Sequence, residues 1–380
     1  MRVASTVLAC ALWWGGCYAS HLGGHRDAGG GRDASGRGDA DVGLDAGAAD
    51  DAGVDASRAS DAGACIGEAP PWAPPFPVAP SYGPPFCPCA SGVLRAVDAW
   101  ADRRGVFVLV SDEAGATLSQ HGTGRWITWS VEPGSAASRV RGIEGGPVWT
   151  WPARCSLVRH DAPASAECVA LRGHDGAPIA PALADFHPAA MWIVGPRAGD
   201  LVTVDRVRDA AVSGTWTLES DADPIDVWGD AVGAFVLTRR QVLGITSAGA
   251  GPRSDVPSGE YVALWGVDRD ELGVATRDGR LLVFDGTRWR EHASGLSSVT
   301  HVSRGASTLA VAGERAIGRA LVGGGSEVLA EWTEPSVRVV ALAASGDLVY
   351  AVLVDERTDV TACGGVVVVR FEPDGTARRL

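Results

Sequence analysis

An all-β fold is predicted for this chain by three features of its sequence. After Ala90 short runs rich in Val, Leu, Ile and Trp alternate with Gly and Asp-Gly, no convincing long amphipathic helix occurs past about Ala101, and a unit recurs every 36 to 40 residues. A unit of that size holds about four short strands and cannot bury both its faces alone, so it stacks against its neighbours in a ring. Residues 103–380 number 278, which divides into seven units of about 40 or six of about 46. The observed spacing favours seven. The expected architecture is therefore a β-propeller of about seven four-stranded blades, with six as the alternative, behind a disordered N-terminal tether.

Met1–Gly16 carries Arg2, an apolar run from Val3 to Trp14, and small residues Gly15 and Gly16 before Cys17. This is the pattern of a bacterial export signal, and it is too short to span a bilayer. A Cys directly after small residues resembles the lipobox of bacterial lipoproteins, and the resemblance implies cleavage before Cys17 and lipid on its thiol. Trp14 stands where that pattern usually has Leu, which leaves ordinary cleavage and a secreted or periplasmic soluble protein as the alternative. Tyr18 is not the Asp that holds many lipoproteins at the inner membrane, so the resemblance implies an anchor in the outer membrane.

Residues 17–64 form the expected tether. From residue 18 they repeat Asp, Ala and Gly, and they hold nine Asp, four Arg and no Glu. With almost nothing to bury, such a segment cannot offset its ordering entropy and extends by self-repulsion. Residues 65–102 are the expected stalk, Pro-rich from Glu68 to Pro88 around Trp72, Phe76, Tyr82 and Phe86. It reads as a semi-rigid spacer that packs a few aromatics on the folded domain. If Cys10 leaves with the signal and Cys17 carries lipid, six cysteines remain, an even number that reads as disulfides on an exported chain. Cys155 and Cys168 flank a predicted hairpin around Asp161-Ala162-Pro163 and form the expected pair, which leaves Cys363 for Cys65, Cys87 or Cys89.

Within residues 103–380 the clearest unit runs from Trp265-Gly266 through Thr276, Asp278-Gly279, Arg280–Phe284, Asp285-Gly286 and Trp289, and reads as strand, turn, strand, turn, strand. Asp-Gly supplies the positive φ that a tight hairpin needs. Trp192, Trp228 and Trp265 lie 36 and 37 residues apart, and Trp228-Gly229 repeats as Trp265-Gly266. Further units are expected to begin near Val106, Val148, Val302 and Leu342. The Trp265–Trp289 stretch resembles the Trp-Gly … Asp-Gly-x-x-Trp blade repeat of exported bacterial propellers, a loose relative of the WD40, kelch and Asp-box classes. Ser111–Leu118 resembles an Asp-box, which is a structural turn.

Composition narrows the chemistry. All 33 basic residues are Arg, so Walker A loops, pyridoxal Schiff bases and Ser-x-x-Lys nucleophiles are excluded, and a net charge of −13 argues against a nucleic-acid partner. None of the eight His forms a tight metal-ligand spacing, and Cys87-Pro88-Cys89 lacks the second pair that zinc needs. His160-Asp161 and His174-Asp175 read as turn residues. Trp192, Trp228 and Trp265 follow the blade period and are expected in the core, whereas Trp126, Trp129, Trp149 and Trp151 break it and are the candidates for a binding surface. The expected function is that of a lipid-anchored, monomeric binding or scaffold module for an envelope protein or polysaccharide, with no catalytic residue, metal or cofactor. The alternative is an envelope glycoside hydrolase or lyase whose carboxylates meet only in space.

Overall fold

Seven antiparallel four-stranded sheets follow one another along the chain, each built from consecutive strands paired in order. Their first strands, which define blades 1 to 7, are Ala96–Asp102, Arg139–Gly142, Leu183–His187, Pro224–Gly229, Tyr261–Asp268, His301–Arg304 and Val337–Ser345. Each first strand packs against that of the next blade, and that of blade 7 against that of blade 1, so the protein is a seven-bladed β-propeller with these strands around a central channel. The computed structural model describes residues 74–78, 96–111, 115–129, 137–151, 155–163, 165–173, 175–247, 249–321, 325–357 and 366–380. The chain divides into two units, Met1–Ser57 and Arg58–Leu380, and every described residue belongs to the second. The expected signal, Cys17, the tether, Cys65, Cys87, Cys89, His174 and Cys363 lie outside the described residues.

The core is divided among seven apolar clusters, one between each pair of neighbouring blades. This follows from the strand pattern, because a blade with apolar residues on both faces must cover each face with a neighbour. The second strand of blade 4, Ala234–Thr238, and that of blade 6, Thr308–Ala312, are buried at every position. Asp278-Gly279 joins the second and third strands of blade 5 with Gly279 at φ 89°, as the hairpin reading expects.

The ring closes without a shared strand. All four strands of blade 1 and all four of blade 7 are contiguous in sequence, and the seam between them is carried by side chains. Ala99, Ala101, Val106, Val108 and Val110 of blade 1 pack on Ala341, Ala343, Tyr350, Val352, Val354, Val366 and Val368 of blade 7. A strap adds to the neighbouring seam. Phe76 of the Pro-Pro-Phe-Pro-Val segment 74–78 lies 5.8 Å from the Trp332 ring and 5.9 Å from the Phe371 ring, on the cluster between blades 6 and 7.

Two boundary expectations are corrected. Blade 1 begins at Ala96, so residues 96–102 belong to the propeller and not to the stalk. Their Ala- and Asp-rich sequence hides a strand because first strands approach one another closely, which favours Ala over the usual β-branched residues. Val106, Val148 and Trp192 lie on second strands, whereas Trp228, Trp265, Val302 and Leu342 lie on first strands. The 36-residue step from Trp192 to Trp228 therefore joins non-equivalent positions.

Cys155 and Cys168 form a disulfide with Cα atoms 5.7 Å apart, tying the approach to the third strand of blade 2, Leu157–Ala162, to its fourth strand, Ser165–Val169. Closing a loop of this size stabilises a fold by about 3 kcal/mol in the chain-entropy picture. The double change Cys155→Ser, Cys168→Ser is therefore expected to lower the unfolding free energy by about 2–3 kcal/mol, read from urea denaturation.

Candidate binding site at the mouth of the central channel

The first strands of blades 1, 2, 6 and 7 begin around one cavity of about 400 Å³ lined by Val97, Ser138, Arg139, His301, Arg338, Val339 and Val340. Arg139 and Arg338 are exposed there, the others half-buried or buried. Among the described residues Arg139 has no ion-pair partner, while Arg338 reaches Glu356 at 2.9 Å in an exposed pair. The His301 ring meets Thr300 Oγ1 through Nδ1 at 3.0 Å. Burial lowers the His301 pKa, with Arg139 and Arg338 pushing the same way and Asp98 opposing them, so the imidazole is neutral near pH 7. Two exposed arginines, one of them paired with Glu356, thus stand at the mouth on a chain of net charge −13.

Around the same channel, Asp residues on three first strands hold neighbouring blades together. The Asp98 carboxylate accepts from Ala99 N at 3.0 Å and from Val140 N of blade 2 at 2.9 Å. Asp226 accepts from Val227 N at 2.9 Å and from Leu264 N of blade 5 at 2.9 Å. Asp185 accepts from Gly229 N of blade 4 at 2.8 Å and from Phe186 N. Arg141 donates to Asp98 at 2.9 Å. Open clefts of about 680 and 650 Å³ lie beside the contacts of blade 2 with blade 3 and of blade 5 with blade 6.

Burial pushes the Asp185 carboxyl up to about 6, Asp226 adds to the rise, and the two N–H donors and Arg141 oppose it. Burial raises Asp226 as well. An acid that holds its proton more tightly in the fold than in the unfolded chain stabilises the fold at low pH. That contribution is complete below about 4 and is lost as pH rises through about 6. Thermal midpoints of the wild-type protein are thus expected to carry a downward component between pH 4 and 7 that Asp185→Asn flattens.

The tryptophans singled out by sequence are structural for the most part. Trp129, Trp149 and Trp151 are buried rather than exposed, although Trp149 lines the cleft between blades 2 and 3. Trp129 donates to Gln120 Oε1 and meets Phe107 edge-on at 5.2 Å, and Trp149 stacks on Phe186 at 5.3 Å. Trp151 packs 5.9 Å from Phe186. Trp126 is half-buried beside the His121 ring at 5.0 Å, against the seam of blades 1 and 7. Their departure from the blade period reflects placement on second and fourth strands rather than exposure. Trp192 and Trp265 are buried and Trp228 half-buried between blades. His160 is a buried strand residue whose Nε2 meets Thr150 Oγ1 at 3.1 Å, not a turn residue, while Asp161 pairs with Arg159 on the surface. The residues that line the mouth had escaped sequence reading. Among the described residues no group of three His, Cys, Asp or Glu is placed to hold a metal ion.

No protein-family model and no curated protein matches the sequence. Solved structures do match in fold. The chain superposes on PorZ, described as an essential bacterial surface component of the type-IX secretion system of Porphyromonas gingivalis, with a TM-score of 0.52 at 12% identity, covering 77% of this chain and 39% of PorZ. It spans about two fifths of that protein's length. The WD40 β-propeller domain of Doa1 matches with a TM-score of 0.52 at 12% identity over 77% of this chain and 99% of that domain. YCF48 from Cyanidioschyzon merolae matches at 0.50 and 13% identity, over 75% of this chain and 97% of its own. At these identities the likeness is one of fold.

Proposed function

We propose that this chain is a cell-envelope lipoprotein, held to the outer membrane through Cys17, whose propeller is a non-catalytic binding or scaffold module engaging its partner at the mouth of the channel. The observation that carries the reading is the mouth itself. Four blades contribute to one open cavity, and Arg139 stands in it exposed and without an ion-pair partner among the described residues. An unpaired guanidinium in a concave site is available to a ligand, and rigid scaffolds place binding groups at such positions. The enzyme reading draws on Asp185, whose carboxyl burial pushes up to about 6 beside Asp226. Those carboxylates, however, are each engaged by two backbone N–H groups, and a general acid must present its proton to a substrate. Binding is therefore preferred.

The test is photo-cross-linking in cells with a reactive amino acid replacing Ser138 at the mouth or, as a control, Val232, exposed on blade 4. One abundant envelope protein or polysaccharide captured from position 138 and not from 232, and lost in a Cys17→Ala form, is the expected result. Equal capture from both positions, or none, overturns the placement at the mouth.

A further inference from the structure

The lining of the mouth also narrows what it takes. Arg139 and Arg338 supply planar donor forks suited to a carboxylate, and Ser138 adds a hydroxyl. Among the described residues the rest of the wall is aliphatic, Val97, Val339 and Val340, and the one ring that lines the cavity is the His301 imidazole. Among the described residues this lining has no flat aromatic face of the kind that suits sugar rings, whereas its short aliphatic walls suit the methylene stem of an acidic side chain. Arg141, just inside, is paired with Asp98, so the charge that faces a ligand sits at the rim on Arg139, which also feels the buried Asp226, and, shared with Glu356, on Arg338.

Resting on the proposal that the mouth is the binding site, we infer that it recognises an acidic segment of a protein partner, with Arg139 and Arg338 taking a side-chain carboxylate and Val97, Val339 and Val340 covering its stem. Charge complementarity selects this occupant. On a protein of net charge −13 a site that presents Arg139 and Arg338 together is a place where an acidic chain can land. Glu356 competes for Arg338 in the unbound state and is the built-in check on the assignment.

The experiment titrates the full chain in detergent with acetyl-hexaglutamate-amide, both of its ends blocked, and with an oligogalacturonate of equal charge. The peptide is expected to bind. Arg139→Gln weakens it at least tenfold, Glu356→Gln, which frees Arg338, tightens it about threefold, and Arg288→Gln, an exposed cation on blade 5, leaves it unchanged. A purely structural role for these surface residues would not reverse sign between Arg139→Gln and Glu356→Gln. No peptide binding, binding indifferent to Arg139→Gln, or oligogalacturonate binding more tightly than the peptide at the same site overturns the inference. If the peptide fails while position 138 still captures one envelope component, the ligand class falls and the binding site stands. If both fail, both fall.

Discussion

Gly229→Ala is expected to destabilise the protein by about 3 kcal/mol, among the largest effects of any single added methyl group. Gly229 ends the first strand of blade 4 and lies under the Trp192 indole of blade 3, where an added Cβ would stand 2.3 Å from Trp192 Cδ1. Trp192 cannot retreat. It is fully buried, its Nε1 donates to Asp230 O at 2.7 Å, and its ring packs 5.5 Å from Trp216. Gly229 N also donates to Asp185, so a shift of this strand would break the latch between blades 3 and 4. Gly266 repeats the arrangement one blade later, with its added Cβ 2.5 Å from the Trp228 indole. Gly251, whose Cβ would meet nothing within 4 Å, is the control, and Gly251→Ala is expected to change stability by less than about 0.5 kcal/mol. Urea denaturation of the two variants checks the ordering. An equal response to Gly229→Ala and Gly251→Ala would remove the close approach as the reason for the Gly.

Tyr350→Ala is expected to cost about 3–4 kcal/mol and to act at the seam of blades 1 and 7 before the rest of the ring. Tyr350 is buried on the second strand of blade 7 among the aliphatic side chains that join the two blades. Many propellers share a strand between first and last blades; here side chains hold the joint, so a cavity in it has no hydrogen-bonded ladder to limit its effect. Amide hydrogen exchange is expected to accelerate in blades 1 and 7 while blades 3 and 4 keep their protection. Phe76→Ala, which removes a half-buried ring from the adjoining seam, is expected to cost only about 1–2 kcal/mol. Uniform acceleration around the ring in the Tyr350→Ala protein would show that the closure is no weaker than the other joints.

The blade architecture was legible because its signals are local. Asp278-Gly279 and Trp265-Gly266 announce a turn and a close packing within a few residues, and the 36 to 40 residue spacing favours seven units over six. The phase was harder. First strands such as Ala96–Asp102 are rich in Ala and Asp because they crowd the axis, so the more apolar second strands at Val106 and Val148 stand out and pull the frame along by one strand. A signal for the latches did exist, since Asp98, Asp185 and Asp226 each sit alone in a short apolar run, an unusual place for an acid unless the backbone opposite satisfies it. The mouth left no such trace. Arg139, His301 and Arg338 come from three blades, and only ring closure brings them to one cavity.

Closure between whole blades has a consequence for how this ring can be cut. Because each sheet is contiguous, a break in the chain between any two blades leaves all seven intact, and the ends that close the ring belong to neighbouring blades 1 and 7. The joint between them is one of seven packed side by side, and the covalent order of the blades is a property of the chain more than of the ring. A circular permutant that joins residue 380 to residue 96 by a short linker and opens the chain between blades 4 and 5 thus keeps every strand pair and, apart from the Phe76 strap on the cluster of blades 6 and 7, every contact between blades, with its open joint moved to the side of the Asp226 latch.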